Sequence, residues 1–359
     1  MSRLCLVVRD LYPTRLSQAA RAGLPRLKCL EQWLRRGDRQ THSGGWRGWL
    51  QREYLGGGGY PRADTYSSAD ASAGAQGTAV PFASIAAAAL PGVPSDQPLW
   101  LASPVHWVAG LDTLRLHPAG LLTLSNEEQQ LLSIDFESVF SGSGWKLIST
   151  GRRELLLAGG PAGLERLATH DPAQWLGTDP AAGLPKGAGS EALRRVGTEI
   201  EMWLHDHPVN RARLARRQLN ANGFWLWGGG GWVAATPRRA GAERSWLAPN
   251  GGVGASLDDL FVDGLTRLVG SALSAGPPGD RCVVCDLGTA PDAPALLALD
   301  QAHFAVALGQ WDRGVYTRAT LLAGDQAITL DRDSWRGRGR QWWRTMRPVR
   351  PWWETLLEC

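Results

Sequence analysis

The first apolar run of the chain, "RLCLVVRDLYP", is short, continuous and closed by Asp10 and Pro13. That is the pattern of a strand buried on both faces. In the following "LPRLKCLEQWLRRG", Leu27, Leu30, Trp33 and Leu34 recur at helical spacing and Gly37 stops the run. Strand, loop and helix in that order open an α/β domain. Residues 41–98 are rich in Gly, Ser, Ala and Pro, with "GGGG" at 56–59 and "SSADASAGAQG" at 67–77, and are expected to be mostly loop.

From Trp100 to Gly159 the pattern changes. "LWLASPVHW", "LDTLRLH", "WKLIST" and "RELLLAG" read as strands, and "SNEEQQLLSIDFESVF" as a helix capped by Ser125 with Glu128 three residues on. This is a self-contained α+β module. In "SEALRRVGTEIEMWLHDH", Leu193, Val196, Ile200 and Trp203 form an apolar stripe on which His207 also falls. Glu201 and His205, four apart on the neighbouring face, are spaced to pair. "GFWLW" is a strand running into Gly228–Gly231. "LDDLFVDGLTRLVGSAL" and "PALLALDQAHFAVALGQ" read as helices, "RCVVCDLG" as a strand ending at Asp286, and "TRATLLAGDQ" with "AITLDRDSW" as a hairpin. The order of elements predicts an α/β fold, a doubly wound sheet core interrupted by an α+β domain. The expected division is core over 1–97, insert over 98–185 and core again over 186–359.

Composition narrows the class. With 43% hydrophobic and 20% charged residues over 359 positions, the chain has the makeup of a globular protein able to bury a large core. Its 18 tryptophans read as core fillers and ligand-facing rings. A formal net charge of +4 does not by itself indicate nucleic acid, although "SWRGRGRQWWRTMRPVRPWW" is locally basic and aromatic. No segment reaches the ~20 apolar residues that span a bilayer, and the amino-terminal apolar run is too short for a secretory signal, so a cytoplasmic location and no membrane partner are expected. Five scattered cysteines form no disulfide framework, and Cys282 and Cys285 fall on opposite faces of a strand.

The chemistry concentrates in "WLHDHPVNRARLARRQLNANGFWLWGGGG", Trp203 to Gly231. A glycine run at the carboxyl end of a strand lets backbone N–H groups approach an anion, and an arginine such as Arg211 holds a carboxylate or phosphate through two hydrogen bonds. The same residues also suit a structural joint between helix, strand and turn. The stretch resembles a motif of archaeal-type cofactor-independent phosphoglycerate mutases, through His207, Pro208, Val209, Asn210, Arg211, Asn222 and the glycines from Gly228. It is most similar to a bacterial offshoot, the RpfE-type regulatory proteins. Trp100 to His106 resembles that group's "W…PVH" strand, Leu124 to Glu128 its "LS-x-EE" helix start, and Trp342 to Arg344 its late "WWR".

The resemblance implies an alkaline-phosphatase-like core with an inserted lid, and, in active relatives, two divalent ions held by Asp and His beside a nucleophile. This sequence departs from that pattern. Asp10-Leu11 stands where an Asp-Gly is expected and Asp325-Gln326 where an Asp-His is expected. Asp10, Asp286 and Asp325 are therefore candidate remnants of metal positions, and no nucleophile is named, Ser67 and Ser68 lying in low-complexity sequence. The expected ligand-binding set is His207, Asn210, Arg211, Asn222, Trp225, Trp227, Gly228, Gly229 and Gly230, facing a small phosphorylated or carboxylated ligand. The function expected is that of a catalytically degenerate, regulatory or anion-binding relative without cofactor. The alternatives are an active mutase or phosphatase using Mg²⁺ or Mn²⁺ and, last, a nucleic-acid-binding regulator.

Overall fold

The computed structural model describes residues 2–9, 11, 23–42, 44–55, 80–94, 97–110, 113–161, 164, 167–187, 189–230, 244–247, 259–269, 280–286, 293–332 and 349–357. In chain order its elements are β1 (Arg3–Arg9), α1 (Lys28–Arg36), β2 (Asp38–Thr41), α2 (Gly45–Leu55), α3 (Phe82–Ala87), β3 (Leu99–Ala109), β4 (Leu114–Leu121), α4 (Asn126–Val139), β5 (Trp145–Ile148) and β6 (Leu155–Gly159). There follow α5 (Ser190–His205), α6 (Pro208–Ala215), β7 (Gly223–Gly230), β8 (Arg244–Leu247), α7 (Leu260–Val269), β9 (Asp280–Asp286), α8 (Ala293–Leu299), α9 (Ala305–Asp312), β10 (Arg318–Ala323), β11 (Gln326–Asp331) and α10 (Trp352–Leu357). The chain is mixed α/β with two sheets, and forms two compact units.

The first unit, residues 1–49, 239–256 and 270–359, holds a six-stranded sheet in the order β2-β11-β10-β1-β9-β8. The four strands from β10 to β8 are mutually parallel, and the β10–β11 hairpin and β2 add an antiparallel edge. Six of the seven residues of β1 are buried, as its continuous apolar run requires of a strand covered on both faces. Leu4, Leu6 and Val8 pack with Leu30, Trp33, Phe304 and Trp311 in one core cluster. Gly37 follows α1 because a Cβ there would collide with Ile328; its φ of −83° needs no glycine. Between α8 and α9 the helix widens into a π-turn, Asp300–Phe304, which directs the Asp300 carboxylate at the bare amino end of α1. There it accepts from the backbone N–H of Cys29 at 3.1 Å and of Leu30 at 2.9 Å, supplying the cap that Leu27 has no side-chain acceptor to give.

The second unit, residues 50–238 and 257–269, holds an antiparallel sheet in the order β4-β3-β6-β5, with β7 also paired along β3 from Leu99 to Val105. Its core joins Trp100, Leu132, Phe136, Leu155, Val196, Ile200 and Phe224. The capping box at Ser125 and Glu128 forms as the sequence predicts, with Ser125 Oγ accepting from the Glu128 N–H at 3.2 Å and Glu128 accepting from the Ser125 N–H at 2.9 Å.

Three expectations are corrected. Residues 186–230 do not return to the first sheet, because β7 hydrogen-bonds along β3 from Leu99 to Val105. Helix α7 likewise belongs to the second unit, pressed on α3 where Gly264 leaves no space for a Cβ beside the Ile85 carbonyl. Within 41–98, α2 and α3 stand where loop was expected; α3, "FASIAA", is buried throughout and too short to show a helical period. The runs at 56–59 and 67–77, with Ser67 and Ser68, lie outside the described residues, as do 333–348 with most of the basic aromatic tail.

Candidate functional site

Helix α5 ends at His205, and α6 begins three residues later with Pro208 at its first position, where a missing N–H costs nothing. His207 is therefore not the end of the α5 stripe but the N-cap of α6. Its Nδ1 accepts the Val209 N–H at 3.1 Å, which leaves the proton on Nε2, 3.4 Å from the Asp135 carboxylate. Asp135 also accepts from the Trp203 indole N–H at 2.8 Å, and the Trp203 ring packs edge-on against the imidazole, 5.0 Å between centroids. Burial pushes the His207 pKa down, Asp135 opposes this and Arg211 reinforces it.

Asn210 is equally committed. Its Nδ2 donates to the carbonyls of Leu204 and Ala221, both at 2.7 Å, and its Oδ1 accepts the Ala221 N–H at 2.9 Å. All of its side-chain hydrogen bonds thus tie the end of α5 to the foot of β7. Arg211, one residue on, is exposed. Arg213 turns inward instead, donating to Glu128 at 2.8 Å and to the Leu219 carbonyl at 2.8 Å, and Arg216 donates to the other Glu128 oxygen. The expected Glu201–His205 pair is replaced by a 4.0 Å approach of His205 to Asp206 at the surface.

Along β7, Asn222 imitates a ladder pair, accepting from the Trp107 N–H at 2.6 Å and donating to its carbonyl at 2.9 Å. His106 Nδ1 meets the Asn220 carbonyl at 2.8 Å. The Trp225 indole donates to the His170 carbonyl at 2.8 Å and the Trp227 indole to Ser103 Oγ at 2.9 Å. At the far end, Gly228 has φ +62° and donates its N–H to Thr169 Oγ1 at 2.9 Å. A Cβ on Gly229 would meet the Leu99 carbonyl and the Trp100 ring. Gly230 completes the strand, buried. These glycines let β7 press on β3 and accept a left-handed turn.

The expected ligand-binding set is therefore not one site. Ala221, where Asn210 is anchored, and Gly228 lie seven strand residues apart, ~23 Å at ~3.3 Å per residue. Of the nine residues, Trp225 alone lines the pocket of about 190 Å³ in this unit, with Trp107, Phe224 and Leu226 from the sheet and Leu193, Gly197 and Glu201 from α5. The Trp107 and Trp225 rings lie 5.7 Å apart and 31° from coplanar. Sequence reasoning missed Asp135 and Trp107, and the two arginine partners of Glu128, since each of these contacts joins residues far apart in the chain.

The first unit carries the candidate metal positions. Asp286 is the last residue of β9, paired in register with Arg9 of the adjacent β1; Ala323, two residues before Asp325, ends β10 on β1's other side. Asp286 and Asp325 thus stand at and just past the carboxyl ends of the two strands that flank β1. Asp10 and the Asp286 side chain lie outside what the structure describes. Asp325 is exposed in the Gly324-Asp325 turn between β10 and β11, its carbonyl accepting the His42 N–H at 2.7 Å. Among the described residues no three His, Cys, Asp or Glu side chains gather as a metal would need.

Over 152 residues the chain is 28% identical to the probable 2,3-bisphosphoglycerate-independent phosphoglycerate mutase of Geobacter sulfurreducens. Over that stretch it is homologous to a cofactor-independent phosphoglycerate mutase. The matched stretch is 39% of this chain and spans 35% of the length of the Geobacter mutase. Among solved structures, the cofactor-independent phosphoglycerate mutase from Thermoplasma acidophilum aligns over 92% of this chain and 90% of its own at 14% identity, with a TM-score of 0.34. The PH0037 protein from Pyrococcus horikoshii aligns over 91% and 86% at 12% identity, with a TM-score of 0.37. No protein-family profile matches the chain. Among the described residues no helix is long and apolar enough to cross a membrane.

Proposed function

We propose that the chain is a diverged phosphoglycerate mutase-like protein that has lost turnover and serves a regulatory, ligand-binding role, as the RpfE-type resemblance implies. One observation carries this reading. The motifs that resemble the mutases and their regulatory offshoot meet in a structural joint: Glu128 of the "LS-x-EE" start holds Arg213 of the "HPVN" helix, and Trp107, beside the "PVH" strand, pairs with Asn222. Residues saturated by main-chain bonds have reason to be present without catalysis. Mutase turnover rests on metal-activated nucleophiles and metal-stabilised phosphoryl oxygens, the largest contribution in phosphoryl transfer, and Leu11 and Gln326 replace the motif partners those positions need.

A coupled phosphoglycerate mutase assay with Mn²⁺ or Mg²⁺, beside a thermal-shift screen of phosphoglycerates and small carboxylates, tests it. The expected result is no turnover above blank and a shift with at least one anion; a ligand at ~100 times its Kd stabilises by roughly 2.7 kcal/mol. Metal-dependent turnover overturns the reading. The second reading, a working metal-dependent mutase or phosphatase, is favoured by the position of Asp286 at the end of β9 and of Asp325 just past β10, the two parallel neighbours of β1, since α/β sheets bind ligands at such strand ends.

A further inference from the structure

The pocket of about 190 Å³ in the second unit plays no part in the mutase reading, and its chemistry differs from that of an anion site. Its floor is the tilted pair of indoles, Trp107 and Trp225. Its wall is one face of α5, where Leu193, Gly197 and Glu201 recur every fourth residue. Gly197 leaves this face open, since a Cβ there would have nothing within 4 Å. Gly223 brings the acid and the aromatic edge together: a Cβ on it would lie 3.4 Å from Glu201 Cγ and collide with the Trp107 indole nitrogen.

Charge decides what such a pocket accepts. No basic side chain among the described residues pairs with Glu201, and partial burial pushes its carboxyl pKa up. Arg194, the pocket's basic residue, donates to Ser190 Oγ at 3.3 Å and stands two helical turns from Glu201, ~10 Å along the axis. Indole faces are electronegative, so both they and the carboxylate attract a cation and repel an anion.

We propose that this pocket binds a small organic cation, an ammonium group on a compact aromatic body, with the body against Trp107 and Trp225 and the ammonium paired with Glu201. The volume, below that of drug-sized sites, suits a body of one ring. The proposal is independent of whether the first unit turns over phosphoglycerate.

Calorimetric titration of the full chain with three probes of one shape tests it: phenethylammonium, 2-phenylethanol and 3-phenylpropanoate. Phenethylammonium is expected to bind saturably and ~10-fold more tightly than the alcohol, with the carboxylate weakest. Glu201→Gln should bring ammonium and alcohol within ~3-fold of each other. Gly197→Leu, which places a good helix former into open space, should remove binding of both while circular dichroism stays unchanged. Equal affinity for the three probes, a ten-fold preference that survives Glu201→Gln, binding that survives Gly197→Leu, or no saturable binding to the unaltered chain each overturn the proposal.

Discussion

Asn210 forms a closed pair with Ala221, donating to its carbonyl at 2.7 Å and accepting its N–H at 2.9 Å, as a strand neighbour would. A side chain thus continues the main-chain pairing beyond β7. Replacing it by Ala leaves the Ala221 N–H and carbonyl buried without partners, at about 1–3 kcal/mol for each such group, while the Leu204 carbonyl keeps the His207 N–H at 3.2 Å. Asn210→Ala is expected to lower urea-denaturation stability by about 2–4 kcal/mol, whether or not an anion is present. A variant as stable as the parent but deficient in anion binding would instead make Asn210 a ligand contact.

Glu128 serves the capping box and two arginines at once, and its side chain is 9% exposed beside an Arg213 at 7%. Removing one member of a buried pair costs more than the pair contributes, because the other charge stays behind. Glu128→Gln should destabilise by about 3–5 kcal/mol, and adding Arg213→Met should recover part of that loss. Additive losses in the double variant would show that the two residues are not coupled.

His207 sets a pH dependence. Its pKa is held below the ordinary ~6.5 by burial, Asp135 opposing and Arg211 assisting, so the unfolded chain takes up the proton first. The contribution is complete above the unfolded pKa, and stability falls as pH drops from about 6.5 toward the lower folded value. His207→Asn keeps a good N-cap but cannot titrate, and the acid-side slope of stability against pH should become shallower. An unchanged slope between pH 7 and 5 would remove His207 from the account, leaving His170 and His303, also lowered by burial, as the sources.

The glycine run separates packing from anion binding. Gly229→Ala pushes a methyl group into the Leu99 carbonyl and the Trp100 ring, backbone and a buried indole that cannot both retreat. A loss of about 1–3 kcal/mol is expected in thermal unfolding with no ligand in the cell. Full stability there would return the run to the role of an anion-binding turn.

Much of this was legible in the chain. Ser125 with Glu128 announced its capping box, the β10–β11 hairpin showed in its alternation, and Leu27 to Gly37 framed α1. Partner choice was not legible. A run such as "GFWLW" states that it is a strand, while the neighbour it selects depends on the spacing of β3, 124 residues away at Ser103 and Trp227. His207 was misplaced because its position fits the apolar stripe of α5; Pro208, a strong first-position helix residue, was the signal that a new helix starts there. The joint at Glu128, Asp135 and Asn222 is built from contacts distant in sequence, which no local pattern encodes.

Strand β1 bears on how the molecule is made. Its two neighbours, β9 and β10, begin at Asp280 and Arg318, so a ribosome delivers the first strand long before either partner exists. At ~5–20 residues per second, the interval to Asp280, where the first partner begins, is roughly 14–54 seconds, during which "LCLVV" has neither edge paired. The second unit, whose β3 to β7 are complete by Gly230, meets no such delay. Newborn chains therefore carry a finished domain beside an unpaired apolar strand. That strand is the segment a nascent-chain chaperone should be found holding.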